Sequence, residues 1–344
     1  MLTLALIVVL LSGALAFGVA LLVRRRATKL GLVQAPNERS SHTVPTPTGG
    51  GLGIVAGGTL AGLPMATLDP WVVIPVLIAG LLIAAIGYAD DRRSLPVSWR
   101  LGGQVLLMGA LVALVPTPAL QAAIGLPIPD LVLFVLLALA GALWINLFNF
   151  MDGIDGLAAT ETIFILCAAV LLAIASFPQL QGHPLTLWML GLAAATFGFL
   201  LLNWPAAKLF MGDTGSTYLG LLIAFFALAT LASGWLTLSQ WLILPALFLA
   251  DSLTTLGRRL LNREPIWQAH KRHAYQALQR RFSSHRTVTL LYVGINLVVL
   301  LPGAALAGLY PQWGWALVLT VYLLLVPLAL LAGAGATLQP ETDK

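Results

Sequence analysis

Long apolar segments separated by short polar stretches occupy almost the whole chain. A helix needs about 20 largely apolar residues to cross the core of a bilayer, and segments of that kind recur from end to end. With Pro, Gly and charge clusters as boundaries, the pattern predicts an all-α polytopic membrane protein with one domain over residues 1–344. The bundle of about eleven transmembrane helices is expected near 2–23, 49–68, 70–88, 101–116, 130–148, 157–177, 185–202, 216–233, 239–256, 287–309 and 312–333.

Composition supports a membrane protein over a soluble one. Hydrophobic residues make up 59% of the 344 positions and charged residues only 9%, whereas soluble domains carry about 25% charged residues. The first apolar segment is followed at once by Arg24, Arg25 and Arg26. A cleaved signal peptide has its positive charges before the apolar segment, so we expect a retained first helix with its N-terminus outside.

Lysine and arginine positions give the orientation of the helices. Cytoplasmic loops are enriched in these residues, and an outside N-terminus puts all 18 of them in cytoplasmic segments. The C-terminus is then cytoplasmic, and residues 257–286 form a basic cytoplasmic loop. The net charge of +5 is explained by this topology, because the chain has no basic domain suited to nucleic acid.

Five polar clusters are expected to meet on the cytoplasmic face, because two helices separate each cluster from the next. They are 36–51, 87–93, 146–156, 203–216 and the loop around His270 and His273. Three of them supply carboxylates, which suit Mg²⁺. A single aspartate at a helix end is more often a cap or an ion-pair partner, but five on one face favour a site. These five are Asp90, Asp91, Asp152, Asp155 and Asp213.

Glycines and basic residues beside the carboxylates indicate a phosphate-rich substrate. Glycine lets backbone N–H groups approach an anion closely, which predicts phosphate cradles at 49–51 and beside Asp213, although glycine in membrane helices also serves packing. Phe210 could stack on a base or lie at the membrane interface. His270 and His273, three apart on a predicted helix, share a face and are candidates for substrate contact. The surrounding arginines could instead bind anionic lipid.

Three long motifs carry a resemblance to a known family. Asp90-Asp91, the run from Asn149 to Ala158 and the run from Phe210 to Ser216 resemble the polyprenyl-phosphate N-acetylhexosamine-1-phosphate transferase superfamily, glycosyltransferase family 4. Its members start peptidoglycan, O-antigen and teichoic acid synthesis. The resemblance covers most of the chain, from Pro36 to about Tyr275.

The resemblance implies a role for each matching position. Mg²⁺, for which Mn²⁺ could substitute, would be bound by Asp213 with Asp90 and Asn149 nearby. The catalytic candidates are Asp90, Asp91, Asp152, His270 and His273. The substrate-binding candidates are Arg39, His42, Thr46, Gly49, Gly50, Asn149, Asp155, Lys208, Phe210, Lys271 and Arg272.

The resemblance also implies the reaction. An N-acetylhexosamine 1-phosphate would pass from a UDP-sugar to undecaprenyl phosphate at the cytoplasmic face of the bacterial inner membrane, and a homodimer is consistent with the family. The segment from Gln268 to Gln276 is similar to the O-antigen-initiating subgroup, which uses 6-deoxy sugars such as N-acetylfucosamine or N-acetylquinovosamine. The sugar stays open between these and N-acetylglucosamine.

Two other functions remain as alternatives. An ion-coupled transporter would use the carboxylates as a relay and would carry charges along a path across the bilayer. Only Glu161 and Asp251 lie even slightly inside a predicted helix, and no inverted repeat is visible. A lipid-binding scaffold would explain the basic loop but gives the aspartates no role.

Overall fold

The fold is a bundle of α-helices with one small sheet. The computed structural model describes residues 2–34, 45–265 and 270–336, and in those ranges the chain forms fifteen α-helices. They are α1 Leu2–Leu30, α2 Gly51–Ala66, α3 Pro70–Arg93, α4 Val97–Val112, α5 Thr117–Ile124, α6 Asp130–Phe150, α7 Leu157–Ser176, α8 Pro184–Asn203, α9 Asp213–Ala232, α10 Leu238–Ile243, α11 Ala246–Leu261, α12 Ala274–Phe282, α13 His285–Ile295, α14 Leu301–Leu309 and α15 Gly314–Ala332. A π-helical turn, Asn296–Leu300, joins α13 to α14.

The all-α membrane fold is confirmed, but the count of eleven spans is not. Eight helical segments in the described ranges are long and apolar enough to cross a bilayer, or nine if α4 and α5, bent by 95°, form one span. The predicted spans at 49–68 and 101–116 are helices of 16 residues each, about 24 Å at 1.5 Å per residue. The predicted span at 239–256 is divided into α10 and α11. Apolarity marks these segments correctly without fixing the helix length.

Helix boundaries follow local chemistry. The predicted boundary at Asp69-Pro70 is confirmed: the Asp69 side chain accepts a hydrogen bond from Val72 N and Pro70 begins α3, as expected for an N-cap followed by proline. By contrast, α1 continues beyond the predicted end at residue 23, through the arginines, until Gly31 adopts a φ of +68°. Arginine is a good helix former, so charge alone does not end the helix.

Close packing in the bundle depends on glycines. Helix α2 packs on α1 and α8, while α9 packs on α3 and α6. A Cβ atom at Gly53 would collide with the Ala16 carbonyl, and one at Gly57 would collide with the Ser12 carbonyl. This spacing of small residues four apart lets two membrane helices approach closely. Trp188 is buried beside this contact.

One end of the bundle collects the polar clusters, and we call it the polar end. It contains the sheet, formed by β1 Val33–Gln34 and β2 Thr46–Pro47, together with the ends of α3, α6 and α8 and the start of α9. The β2 strand is tied to the segment before α9 by the bond from Phe210 N to the Pro47 carbonyl, 2.8 Å. Tyr275 of α12 donates to the Phe150 carbonyl at the end of α6, 3.0 Å. The predicted meeting of the described clusters on one face is therefore confirmed.

Candidate active site

Asp91 holds the beginning of α9. Its Oδ1 accepts a hydrogen bond from Asp213 N at 2.8 Å, and its Oδ2 accepts from Thr214 N at 3.1 Å and from the Thr214 hydroxyl at 2.7 Å. The carboxylate thus caps a helix from another part of the chain, where the helix dipole favours negative charge. Asp91, predicted to be catalytic, is positioned here to fix Asp213.

Asp90, one residue earlier on α3, faces a different partner. Its Oδ1 accepts from Leu95 N at 2.6 Å, and its Oδ2 accepts from Arg100 Nη1 at 2.5 Å. The same Nη1 donates to Asp213 Oδ2 at 3.3 Å. Carboxylates from α3 and α9 therefore point at one place, bridged by a guanidinium from α4. The three hydrogen bonds at the start of α9 and this bridge all involve the last turn of α3, so that turn organises the site.

Two further predicted residues lie beside this bridge. Asn149 Oδ1 accepts from the Ser216 hydroxyl at 2.5 Å, and Asn149 lines a small pocket with Asp90, Arg100 and Asp213. The Asp152 backbone N–H donates to the Asn149 carbonyl at 3.2 Å, but its carboxylate forms no hydrogen bond within the described ranges. Burial, and then the negative charges of Asp213, Asp91 and Asp155, raise the pKa of Asp152 well above its ordinary value. The site therefore has an excess of negative charge.

This donor set fits Mg²⁺ chemically. Within the described residues, no three His, Cys, Asp or Glu side chains form a complete metal cage. Mg²⁺ does not need one, because it keeps several waters and is usually bound by one or two carboxylates and the phosphates of a substrate. Asp213, Asp90 and the amide oxygen of Asn149 supply oxygen ligands of that kind, and carboxylates this close to one another are stabilised by a cation.

The glycine cradle predicted at 49–51 does not match the backbone hydrogen bonds. Gly50 N donates to the Phe210 carbonyl and Gly51 N to the Met211 carbonyl, both at 2.9 Å. These N–H groups are already used, so they do not point at an anion. A Cβ atom at Gly51 would collide with the backbone of Gly215. The glycines instead let α2 begin directly against α9, which is the packing alternative.

Asp155 joins three parts of the polar end. Its Oδ2 accepts from Ala207 N at 2.9 Å, its Oδ1 lies 3.0 Å from His285 Nδ1, and its carbonyl accepts from the Thr289 hydroxyl at 2.9 Å. The Asn203 amide makes a similar link, since its Oδ1 accepts from Gly156 N at 2.8 Å. Asp155, predicted to bind substrate, thus also fixes the loop after α6 to the segment before α9 and to α13.

His270 and His273 stack on each other but do not lie on a helix. Their ring centroids are 4.9 Å apart, yet both precede α12, which begins at Ala274. The predicted helix at this point is therefore wrong, because His273 is the N-cap residue. Its side chain is 3% exposed and its Nδ1 lies 3.3 Å from Asp251 Oδ1. Burial, followed by the charges of His273, Arg259 and Arg272, lowers the pKa of His270 to about 3.

Asp251 is the buried anchor of this loop. Besides His273, it accepts from Ala274 N at 2.8 Å, Tyr275 N at 3.0 Å and the Tyr292 hydroxyl at 3.1 Å. Its carboxylate caps α12 from α11, as Asp91 caps α9 from α3. His273, one of the predicted catalytic residues, is thereby held inside the protein, and His270 is the more accessible of the two rings.

The basic loop is organised by one acidic residue. Glu264 accepts from Arg272 Nη1 at 2.7 Å and from Arg259 Nε at 3.2 Å. Both arginines lower the pKa of Glu264, and the hydrogen bond from Arg272 has the larger effect. The Arg272 carbonyl also accepts from Gly335 N at 2.7 Å, beyond the end of α15. Arg272, predicted to bind substrate, is therefore engaged within the protein.

The other predicted substrate-binding residues fall into two groups. Thr46 lies in β2, Phe210 pairs with the sheet through its backbone, Lys208 is exposed at the same end and Lys271 lies between the two histidines. All four lie at the polar end. Arg39 and His42 lie outside the described residues.

Four residues of the site were not singled out from the sequence. Three of them are direct partners of predicted residues: Arg100, Glu264 and His285. The fourth, Asp251, was noted only as a charge inside a predicted helix. A carboxylate in an apolar helix signals a buried partner, so Asp251 could have been found. Arg100 and His285 had no comparable signal, because a basic residue near a helix end is expected from topology alone.

Known proteins of one family are similar to this chain. The family model for glycosyl transferase family 4 matches residues 73–231, which include Asp90, Asp91, Asn149, Asp152 and Asp213. A decaprenyl-phosphate N-acetylglucosaminephosphotransferase of Mycolicibacterium smegmatis is 32% identical, over 89% of this chain and 84% of that protein. A probable undecaprenyl-phosphate N-acetylglucosaminyl 1-phosphate transferase of Bacillus subtilis is 29% identical, over 79% and 76%.

Similarity extends to relatives whose names give a different substrate. A phospho-N-acetylmuramoyl-pentapeptide-transferase of Synechococcus sp. is 31% identical, over 86% of this chain and 87% of that protein. These three matches each cover more than three quarters of both chains. The chain therefore belongs to glycosyl transferase family 4, among the polyprenyl-phosphate N-acetylhexosamine-1-phosphate transferases.

Proposed function

We propose that this protein transfers an N-acetylhexosamine 1-phosphate from a UDP-sugar to undecaprenyl phosphate. An oxygen of the lipid phosphate would form a bond to the sugar-bearing phosphorus, the bond from that phosphorus to the bridging oxygen would break, and UMP would leave. The observation that carries the proposal is the convergence of Asp90 and Asp213 on one point at 2.5 and 3.3 Å from Arg100 Nη1. Family membership supplies the reaction class.

Charge neutralisation is the main requirement of such a reaction, because both reactants are anions. We propose that Asp213, with Asn149 and Asp90 nearby, holds Mg²⁺, which when bound would neutralise charge on the diphosphate. Arg100 brings the guanidinium closest to these carboxylates. The acceptor phosphate is largely ionised near neutral pH, so little work is left for a general base. Both oxygens of Asp90 already accept hydrogen bonds, which favours a positioning role for it.

The nucleotide would lie near the start of α9 and the loop after α6. Phe210 is three residues before Asp213 and could stack on the uracil. The Asp152 carboxylate lies near the other carboxylates and has no hydrogen-bond partner of its own in the described part of the chain. It is therefore available to a substrate hydroxyl or amide. The raised pKa of Asp152 makes its protonated form accessible as a donor.

The sugar is an N-acetylhexosamine in this proposal, and two candidates are to be tested first. The names of the relatives favour N-acetylglucosamine, while the sequence from Gln268 to Gln276 favours a 6-deoxy sugar and a role in starting O-antigen synthesis. We propose that the polar end faces the cytoplasm at a bacterial inner membrane, because all 18 Lys and Arg residues fall on that side in the predicted topology. A homodimer remains a prediction.

The transporter alternative gains no support from the two carboxylates nearest a span interior. Asp251 is 2% exposed and accepts hydrogen bonds from the protein itself. Glu161 is 1% exposed and accepts from Asn296 Nδ2 at 2.6 Å. Both are buried between helices, whereas a relay needs groups that face an aqueous path.

The test is an assay of UMP release by the purified protein in detergent. The reaction contains undecaprenyl phosphate, Mg²⁺ and one of UDP-N-acetylglucosamine, UDP-N-acetylquinovosamine or UDP-N-acetylfucosamine. We expect lipid-dependent UMP with at least one sugar and a loss of about 100-fold or more in Asp213→Asn. Asp130→Asn, an exposed aspartate far along α6 from the polar end, is the control and should keep its activity. Full activity of Asp213→Asn, or no lipid-dependent UMP with any sugar, would overturn the proposal.

A further inference from the structure

Arg100 connects the two carboxylates on which the proposed chemistry depends. It lies in the first turn of α4, and its Nη1 donates to Asp90 Oδ2 and Asp213 Oδ2. One nitrogen of one cation thus serves an oxygen from α3 and an oxygen from α9. Charge-assisted bonds of this kind are about twice as strong as neutral ones, so the guanidinium holds both oxygens effectively.

A second nitrogen of the guanidinium is not satisfied. Arg100 Nε is buried and has no hydrogen-bond acceptor among the residues that the structure describes. A buried donor without an acceptor is unfavourable, more so when it is charged. The adjoining pocket, which Asn149 and Gln104 also line, is the space from which an acceptor could reach it. Arginine matches phosphate oxygens because its donors form a planar fork.

A divalent cation would compete with Arg100 for the same oxygens. Mg²⁺ binds its oxygen ligands at about 2.0–2.1 Å, closer than Nη1 lies to Asp90 Oδ2, and two cations on one oxygen repel each other. Metal binding through Asp213 Oδ2 or Asp90 Oδ2 therefore requires Nη1 to withdraw. The Arg100 side chain is 31% exposed, so its guanidinium has a solvent-facing side toward which it can withdraw.

We propose that Arg100 is an exchangeable internal cation: it neutralises Asp90 and Asp213 until a divalent metal takes its place, and it then binds the diphosphate of the sugar nucleotide. The second half rests on the proposed function, whereas the first half concerns this chain and the metal alone. A permanent strut between α3, α4 and α9 is the competing explanation. The two explanations predict opposite signs for the metal affinity of an Arg100 variant.

Mn²⁺ binding measured by electron paramagnetic resonance, on full-length protein in detergent without nucleotide, separates them. If Arg100 competes with the metal, Arg100→Gln should bind Mn²⁺ about tenfold more tightly, which corresponds to about 1.4 kcal/mol. Arg100→Lys, which keeps the charge, should stay near wild type. Arg93→Gln, an exposed arginine at the end of α3, controls for the change in net charge.

A strut predicts weaker Mn²⁺ binding in Arg100→Gln, because the carboxylates would lose their positions. Unchanged or weaker binding, in a variant whose apparent melting temperature matches wild type, would overturn the exchange. Binding of Arg100 to the diphosphate, the second half of the proposal, is tested by substrate titrations. With saturating Mg²⁺, Arg100→Gln should raise the KM for UDP-sugar about tenfold or more. An unchanged KM would overturn this half. UMP release by wild type, measured in parallel, tests the proposed function separately.

Discussion

Removal of the Asp251 carboxylate should destabilise the loop that carries the two histidines. The side chain is 2% exposed and accepts hydrogen bonds from His273, Ala274, Tyr275 and Tyr292. In Asp251→Ala, the Tyr292 hydroxyl can turn toward another acceptor. The two backbone N–H groups cannot turn, because they belong to the first turn of α12.

The expected loss follows from those two N–H groups. Each buried donor left without an acceptor costs about 1–3 kcal/mol. For the two donors together we therefore expect a loss of about 2–6 kcal/mol in the free energy of unfolding. Asp251→Asn keeps one acceptor oxygen and should lose about half as much on the same reasoning.

The assay is thermal unfolding in detergent, followed by tryptophan fluorescence and reported as an apparent melting temperature. The temperature should fall by about 5 °C or more in Asp251→Ala, and hydrogen exchange should rise in α12 before it rises elsewhere. Asp130→Ala is the matched control, since Asp130 is exposed and accepts only from Gln121 in the described structure. A wild-type melting temperature and unchanged exchange in α12 would refute the cap.

Four further predictions concern other parts of the site. Gly51→Ala should lower both stability and turnover because its Cβ atom would collide with the backbone of α9. Gly102→Ala is the control and should lower neither, since no atom lies near its Cβ position. Equal effects of the two changes would contradict a packing role for Gly51. His270→Ala should reduce turnover without lowering the melting temperature, and His273→Ala should lower both, since only the second ring is enclosed. Because the pKa of His270 is about 3, the ring stays neutral across the neutral range, and His270→Gln should keep the shape of the wild-type pH–rate profile; loss of an inflection near pH 6.5 would contradict this. Asp91→Ala should lower the melting temperature by removing the cap of α9, and unaltered unfolding would show that Asp91 acts otherwise.

The sequence was sufficient for the fold class and for the meeting of the clusters. Apolar segments near 20 residues must be helical in lipid, because a bilayer offers no other partner for backbone polar groups. Clusters two helices apart must also share a side of the membrane. Both predictions are independent of the exact helix ends. They are therefore correct although α1 extends to Leu30 and α3 extends to Arg93.

The roles of individual residues could not be predicted from the sequence in the same way. Asp90 and Asp91 are adjacent, yet residues one apart on a helix face directions about 100° apart, given about 3.6 residues per turn. One therefore meets Arg100 and the other the start of α9, and no linear pattern distinguishes them. The glycines at 49–51 are equally ambiguous, because close approach to a phosphate and close approach to another helix require the same absence of a side chain.

In the proposed reaction the phosphorus moves to the lipid together with the sugar, and an isotope label on that phosphorus tests this directly. Wild-type protein is incubated with Mg²⁺, undecaprenyl phosphate and a UDP-N-acetylhexosamine that carries ³²P in the phosphate attached to the sugar. We expect the label to move into the organic-soluble lipid, with one UMP formed for each labelled lipid, and we expect Asp213→Asn to abolish both. Label that stays in UDP while the sugar reaches the lipid, or label that never leaves the nucleotide sugar, would contradict it.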